Sequence, residues 1–294
     1  MKCDQNQIKF IKKNKKEKLL IKLLQIFLII LFIFLWELLT KKEIINSFIY
    51  SSPSKIIKTI KELLIQNNLF PHIFTTLNEV LISFFLGTII GFFVAVIFYE
   101  YPFIAKILEP FLTIFNALPK VALGPIIIII FGTNTKSIII MALCINLIIS
   151  MLSMYNGFLN TSKIKEKMFK TFGANKWQIL TGLVIPSSYK DIISSLKLNI
   201  SLTLIGVITG EFLSCKKGIG YLIMYGTQVF NLDLVMSSIF ILIIISTLLY
   251  IIISYLEKKL IKKNWLFFLI FYNKYIFNFI ITCKKSNIFS VIFY

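Results

Sequence analysis

The sequence predicts an all-α, polytopic membrane protein with about six transmembrane helices. Of its 294 residues, 57% are apolar and only 15% are charged. Long runs such as LLIKLLQIFLIILFIFLWELL and IFILIIISTLLYIIISYL reach the roughly 20 residues that cross the hydrocarbon core. Lysines and turn residues collect between these runs, as connections between spans require.

The elements follow in order. Residues 1–18 form a basic tail, and the first span covers 19–39. That run is longer than the apolar core of a signal peptide and lacks a small-residue cleavage site, so it is expected to stay uncleaved. Residues 19–76 join this span to a segment, SSPSKIIKTIKELLIQNN, with Ile56, Ile57, Ile60, Leu63 and Leu64 at helical spacing. The pattern predicts an amphipathic helix on the membrane surface. Further spans are expected at 77–99, 103–131, 137–156, 192–213 and 235–256, within a transmembrane domain over 77–260. The aromatic stretch 264–294 reads as an interfacial extension, because Asn273, Lys274 and Asn278 disfavour a seventh span.

Charge excludes one class of function and sets an orientation. The formal net charge is +19, yet all 32 basic residues are lysine. The planar guanidinium fork that reads guanine or clamps phosphate is therefore missing, and nucleic acid is not an expected partner. Most of these lysines read as solvated or lipid-facing charge in a lysine- and isoleucine-rich composition. With the N-terminus in the cytoplasm, inner segments hold 22 lysines, counting Lys22 and Lys106 at the inner ends of their spans, and outer segments 8, with Lys120 and Lys197 deeper inside spans. The positive-inside rule then places both termini in the cytoplasm of a cell-membrane protein. The cysteines Cys3, Cys144, Cys215 and Cys283 form no CxxC pair, and His72 is the single histidine. Neither a disulfide framework nor a metal site is expected.

The third span, EPFLTIFNALPKVALGPIIIIIFG, carries Pro110, Pro119, Gly124 and Pro125. Backbone groups freed by proline are tolerated at membrane depth only inside protein or along a water-filled cavity. Asn116, Pro119 and Lys120 in this broken span, with Glu211 at the end of the fifth, are candidate translocation-path residues. The alternative for Lys120 is snorkelling to the surface; for Glu211 it is an interfacial ion pair with Lys216 and Lys217. Asn146 and Asn199 read as interhelical hydrogen-bond partners. Gly87–Gly91 and Gly206–Gly210 are GxxxG pairs that suit either intramolecular packing or a dimer seam.

Residues 157–190 should face the cytoplasm. Ile164, Met168, Phe169 and Phe172 share one face of a short helix, Gly173 ends it, and a second short helix is expected to stop before Pro186. An exposed apolar face on a helix–Gly–helix unit fits a groove on a partner protein, and equally fits an interfacial helix lying on lipid.

The same loop resembles the EAA loop of ABC importer permeases: a glycine, nine residues, then I-x-L-P. Here Gly173 is followed by residues 174–182 and then Leu183-Val184-Ile185-Pro186, and GANKWQ is similar to the family's G-A-S-x-W-Q run. SPSKI, ALPKVALGPIIIIIFG, GEFL…GIGYLI and DLV extend the resemblance over about 25–263, toward permeases for nitrate, sulfonates, taurine and pyrimidine vitamin precursors. The E-A-A triplet is replaced by Lys167-Met168-Phe169, with Glu166 one place early.

The resemblance implies a type I permease fold and a path for a small anionic or vitamin-precursor solute. It implies a coupling loop built on Glu166, Lys167, Gly173, Ala174, Trp177 and Pro186. The implied partners are a cytoplasmic ATPase subunit, an extracytoplasmic substrate-binding protein and a second permease chain, in a homodimer. No cofactor is expected, since the chain has no GxxxxGK[ST] run and ATP would bind the partner subunit. A self-sufficient secondary carrier is the alternative, against which stand the lack of repeated halves and of carboxylates away from span ends. A membrane enzyme is disfavoured because no carboxylate, metal or nucleophile–base constellation is present in the sequence.

Overall fold

The computed structural model describes residues 5–66, 68–214 and 216–285, and all regular structure among them is helical. The chain divides into two units, residues 1–72 with 222–241, and 73–221 with 242–294.

In the first unit, α1 (Gln5–Lys41) is a long helix whose segment Lys16–Lys41 is long and apolar enough to span, with its apolar stretch unburied within the chain. After the single turn α2 (Ser47–Tyr50), α3 (Pro53–Ile65) begins at the SPSK run for a definite reason. Ser52 caps it by accepting from Lys55 N, and Pro53 occupies the first turn where no N–H is needed. Ser54 then gives its N–H and its hydroxyl to the Glu37 carboxylate, at 3.1 and 2.6 Å, fixing α3 against the end of α1. Ile56 and Leu63 are buried, while Ile57 and Leu64, from the same expected apolar stripe, are exposed. Ser237 also hydrogen-bonds the Ile56 carbonyl.

The second unit is built on α4 (Leu69–Glu100, of which residues 73 onward belong here), α7 (Thr135–Leu159) and α11 (Tyr189–Ser214). All three are long and apolar enough to cross a membrane, as is Leu232–Ile261 in α13 (Leu232–Lys285). Both GxxxG pairs are used inside this unit. Gly206 and Gly210 lie on Ala142 and Ile138 of α7, and Gly87 and Gly91 lie on Asn146 and on Ser150 and Met151 of the same helix. Hydrogen bonds follow the close approach: Asn146 Nδ2 donates to Thr203 Oγ1 and Asn199 Nδ2 to Thr88 Oγ1, each at 2.6 Å. An ion pair between Lys197 and Glu257, with Lys197 Nζ 5.9 Å from the Tyr250 ring centroid, joins α11 to α13.

The third expected span is bent by 88° between α5 (Pro102–Ala117) and the helical stretch Lys120–Phe131, which is a 3₁₀ turn followed by α6 (Gly124–Phe131). Three helices run beyond the expected spans, α1 already starting at Gln5 rather than 19. α4 begins at Leu69 rather than near 77, since Pro71 is harmless in a first turn and Thr75 and Thr76 do not interrupt a helix. The aromatic stretch from 264 continues α13 as backbone helix to Lys285; its side chains and residues 286–294 lie outside the described residues.

Candidate coupling loop and translocation path

The connection from α7 to α11 folds as a short helix, a glycine turn and a second helical stretch. α8 (Lys163–Thr171) runs to Phe172, after which Gly173 takes φ +80°, a left-handed value that glycine adopts without cost. Asn175 then caps α9 (Lys176–Ile179) reciprocally: Gln178 N donates to Asn175 Oδ1 at 2.8 Å and Asn175 N to Gln178 Oε1 at 2.9 Å. This capping box is the physical content of the GANKWQ run.

The second helix does not stop before Pro186, contrary to the sequence expectation. It widens into a π-helical turn, Leu180–Val184, and continues through α10 (Ile185–Ser187). Ile185 N reaches back to Leu180 O, and Pro186, which has no N–H to place, falls in the first turn of the renewed α-helix. The two ends of the loop are tied together where Ser188 Oγ donates to Gly157 O at 2.8 Å and Thr161 Oγ1 meets Ser187 Oγ at 3.0 Å.

The loop has distinct inner and outer sides. Phe169 and Ala174 pack against a buried cluster that includes Ala95, Phe98, Phe158, Leu180 and Val184, and Pro186 is half-buried. Glu166 also faces inward, its Oε1 accepting from the Tyr99 hydroxyl at 2.9 Å. On the outer side stand Ile164, Met168, Phe172 and Trp177, which are 81, 47, 53 and 63% exposed, with Lys167 exposed beside them. All six candidate loop residues thus lie on one block, divided between its two sides.

The candidate path residues do not form a single group. Asn116, Pro119 and Lys120 come together at the 88° break, where Lys120 Nζ donates to Asn116 Oδ1 at 3.0 Å. Glu211 lies elsewhere, only 1% exposed. Its oxygens accept from Thr76 Oγ1 and from Gly220 N, each at 2.6 Å, while Lys216 and Lys217 are exposed. Thr76 in turn accepts from Ile219 N at 2.9 Å, so one threonine and one carboxylate hold the backbone that opens α12 (Ile219–Gln228).

Sequence reasoning missed the group facing Glu211. Glu79, also 1% exposed, sets its carboxylate beside that of Glu211 and the Thr135 hydroxyl, with neither oxygen in a hydrogen bond of normal geometry. The expectation that acidic residues sit only at span ends is therefore corrected: with α4 starting at Leu69, Glu79 lies three turns inside it. The available signal was a glutamate leading directly into the apolar run of LNEVLISFF.

These features have counterparts among known proteins. The sequence profile of the binding-protein-dependent transport system inner membrane component family matches residues 87–262, more than half of the chain. The chain belongs to that family. A probable ABC transporter permease of Haemophilus influenzae is 28% identical over 245 residues, covering 82% of this chain and 98% of that protein. A formylaminopyrimidine transport permease of Halalkalibacterium halodurans is 26% identical, covering 77% and 90%. A putative aliphatic sulfonates transport permease of Bacillus subtilis is 23% identical, covering 78% and 83%. Among solved structures, an inward-facing form of the MetNI methionine ABC transporter superposes with a TM-score of 0.58 at 15% identity, over 70% of this chain and 97% of that one. The fold is that of a type I ABC importer permease, and the protein is a multi-pass transport subunit rather than an enzyme.

Proposed function

We propose that this permease couples to a separate cytoplasmic ATPase through residues 157–190 and forms the path for a small anionic or vitamin-precursor solute. The observation that carries the coupling is the outer side of the loop. Four large apolar side chains, Ile164, Met168, Phe172 and Trp177, stand exposed on a block whose other side is anchored in the core. Apolar anchors at helical spacing, set on a rigid support, are what a helix-in-groove contact uses.

The lysine distribution supports placing this loop, with both termini, in the cytoplasm of a cell membrane. ATP would bind the partner subunit, and this chain would carry no cofactor. A substrate-binding protein outside the cell would deliver solute, and a second copy of the chain would complete the path. The solute class rests on Lys120, a cation beside a bent helix within the membrane-spanning region, and on relatives whose names include sulfonates and formylaminopyrimidine.

The test is affinity capture of tagged protein from gently solubilised native membranes, with partners identified by mass spectrometry. Wild type should retain an ATPase. Gly173→Pro, which demands φ near −65° where the chain has +80°, should lose it. Recovery of intact wild-type protein without an ATPase would overturn the reading.

A further inference from the structure

We propose that Tyr99 is a positioning residue that makes α8 and the end of α4 move as one body, through its hydrogen bond to Glu166. The inference rests on the reading of 157–190 as the ATPase contact and concerns how a push on that loop reaches the spans.

A loop that merely docks cannot drive transport, because its displacement must be carried into helices that line the path. α8 is short and bears its large apolar side chains outward, with Phe169 as its packed anchor. Phe169 alone resists tilting poorly, since a packed ring can roll against its neighbours. Directional polar contact is what fixes orientation. The Tyr99–Glu166 bond supplies it, joining the last turn of α4 to the first turn of α8 across 67 positions of sequence.

The phenol is itself held. Its ring meets Phe158 edge-on at 6.1 Å, Phe158 is fully buried, and the neighbouring Phe98 stacks edge-on against Tyr155 at 5.8 Å. Three aromatic contacts, with Phe92 against Phe158 as the third, therefore clamp the ends of α4 and α7 together beneath the loop. Both Tyr99 and Glu166 are half-buried, so the hydrogen bond is only partly open to competition from water. The geometry also explains the displaced acid of the loop motif. Glu166 is turned toward this chain's own span, which leaves Lys167 on the side presented to a partner.

The test measures rigidity directly and needs no knowledge of the solute. Spin labels would be placed at Ile97→Cys on α4 and Lys165→Cys on α8, both exposed positions, in protein whose four native cysteines are serine. The co-purified complex would be reconstituted in nanodiscs, and the interlabel distance measured without nucleotide and with ATP and orthovanadate.

Wild type should give one narrow distance within each chain, resolved from the longer distances between copies and unchanged by nucleotide. Tyr99→Phe, which removes a single oxygen and keeps the ring, should lose that narrow distribution and shift with nucleotide, while still retaining the ATPase. Glu166→Gln, whose amide oxygen still accepts from the phenol, should behave as wild type. An equally narrow, nucleotide-independent distance in Tyr99→Phe, with the ATPase bound, would overturn the inference and leave the coupling reading intact. Absence of an ATPase from the wild-type complex would overturn both.

Discussion

The two ends of α4 are built on opposite principles. Near its start, Glu79 and Thr76 join Glu211 and the Gly218–Gly220 backbone in a polar knot that is sealed from the surface. About 30 Å of helix away, Tyr99 supports a loop that presents large apolar side chains outward. One end buries what normally seeks water, and the other exposes what normally avoids it. The bonded members of this knot, Thr76, Glu211 and the N–H groups of Ile219 and Gly220, have one good arrangement, because leaving any of them unpaired is costly in a low-dielectric interior. An exposed apolar ridge costs little to alter within the chain, and its value lies in what it meets. The first end should therefore be sensitive in stability, and the second in partner binding.

Two glycines offer the cleanest break of this comparison, since both hold positive φ. Gly218 stands at +117° and Gly173 at +80°. A Cβ on Gly218 would run into the carboxyl group of Glu211, whereas a Cβ on Gly173 would meet nothing within 4 Å. Gly218→Ala adds overpacking of a buried group to backbone strain and should cost about 3 kcal/mol. Gly173→Ala should cost only about 1 kcal/mol, from the backbone alone. Thermal unfolding midpoints of the purified proteins in nanodiscs would rank them. Equal shifts would mean that Glu211 does not lie under Gly218.

The next pair sharpens the contrast in hydrogen bonding. Thr76→Val keeps the shape of the side chain but orphans both Ile219 N and one oxygen of Glu211, so about 2 kcal/mol is expected. Asn175→Ala removes the cap of α9 at the loop end, where water can replace it, and should cost about 1 kcal/mol. If Asn175→Ala proved the more damaging under the same assay, the loop would be contributing to the stability of the spans rather than resting on them.

How much of this was legible in the sequence follows from the range of each interaction. The spans were readable because twenty apolar residues in a row decide the matter locally, and the bend because Pro119, Gly124 and Pro125 sit within one short stretch. Gly173 announced the turn of the loop for the same reason. The polar knot was not readable: Thr76 and Glu211 are 135 positions apart, and nothing near either one names the other. Tyr99 and Glu166 fail in the same way at 67 positions. Pro186 misled because the usual rule ends a helix before proline, whereas a π-helical turn upstream carries this helix through. Glu79 was hidden by a span boundary drawn eight residues too late, which turned a carboxylate buried inside a helix into an ordinary residue at its end.

The smallest expected effect on stability is at Trp177, and it is the most informative about the loop. Its side chain is 63% exposed and its ring makes no aromatic pair among the described residues, so Trp177→Ala should change the unfolding midpoint by no more than about 0.5 kcal/mol allows. Tryptophan is also the residue type most often found to dominate a protein interface, so the same substitution should weaken ATPase retention about tenfold, equivalent to about 1.4 kcal/mol. Titrating the purified ATPase onto nanodisc-embedded permease would measure it. An unchanged affinity, with Ile164→Asp also silent, would place the apolar ridge against lipid headgroups instead. The contrast between the two ends of α4 would then be one between a sealed interior and a membrane-facing surface, with the ATPase contact to be sought elsewhere on the chain.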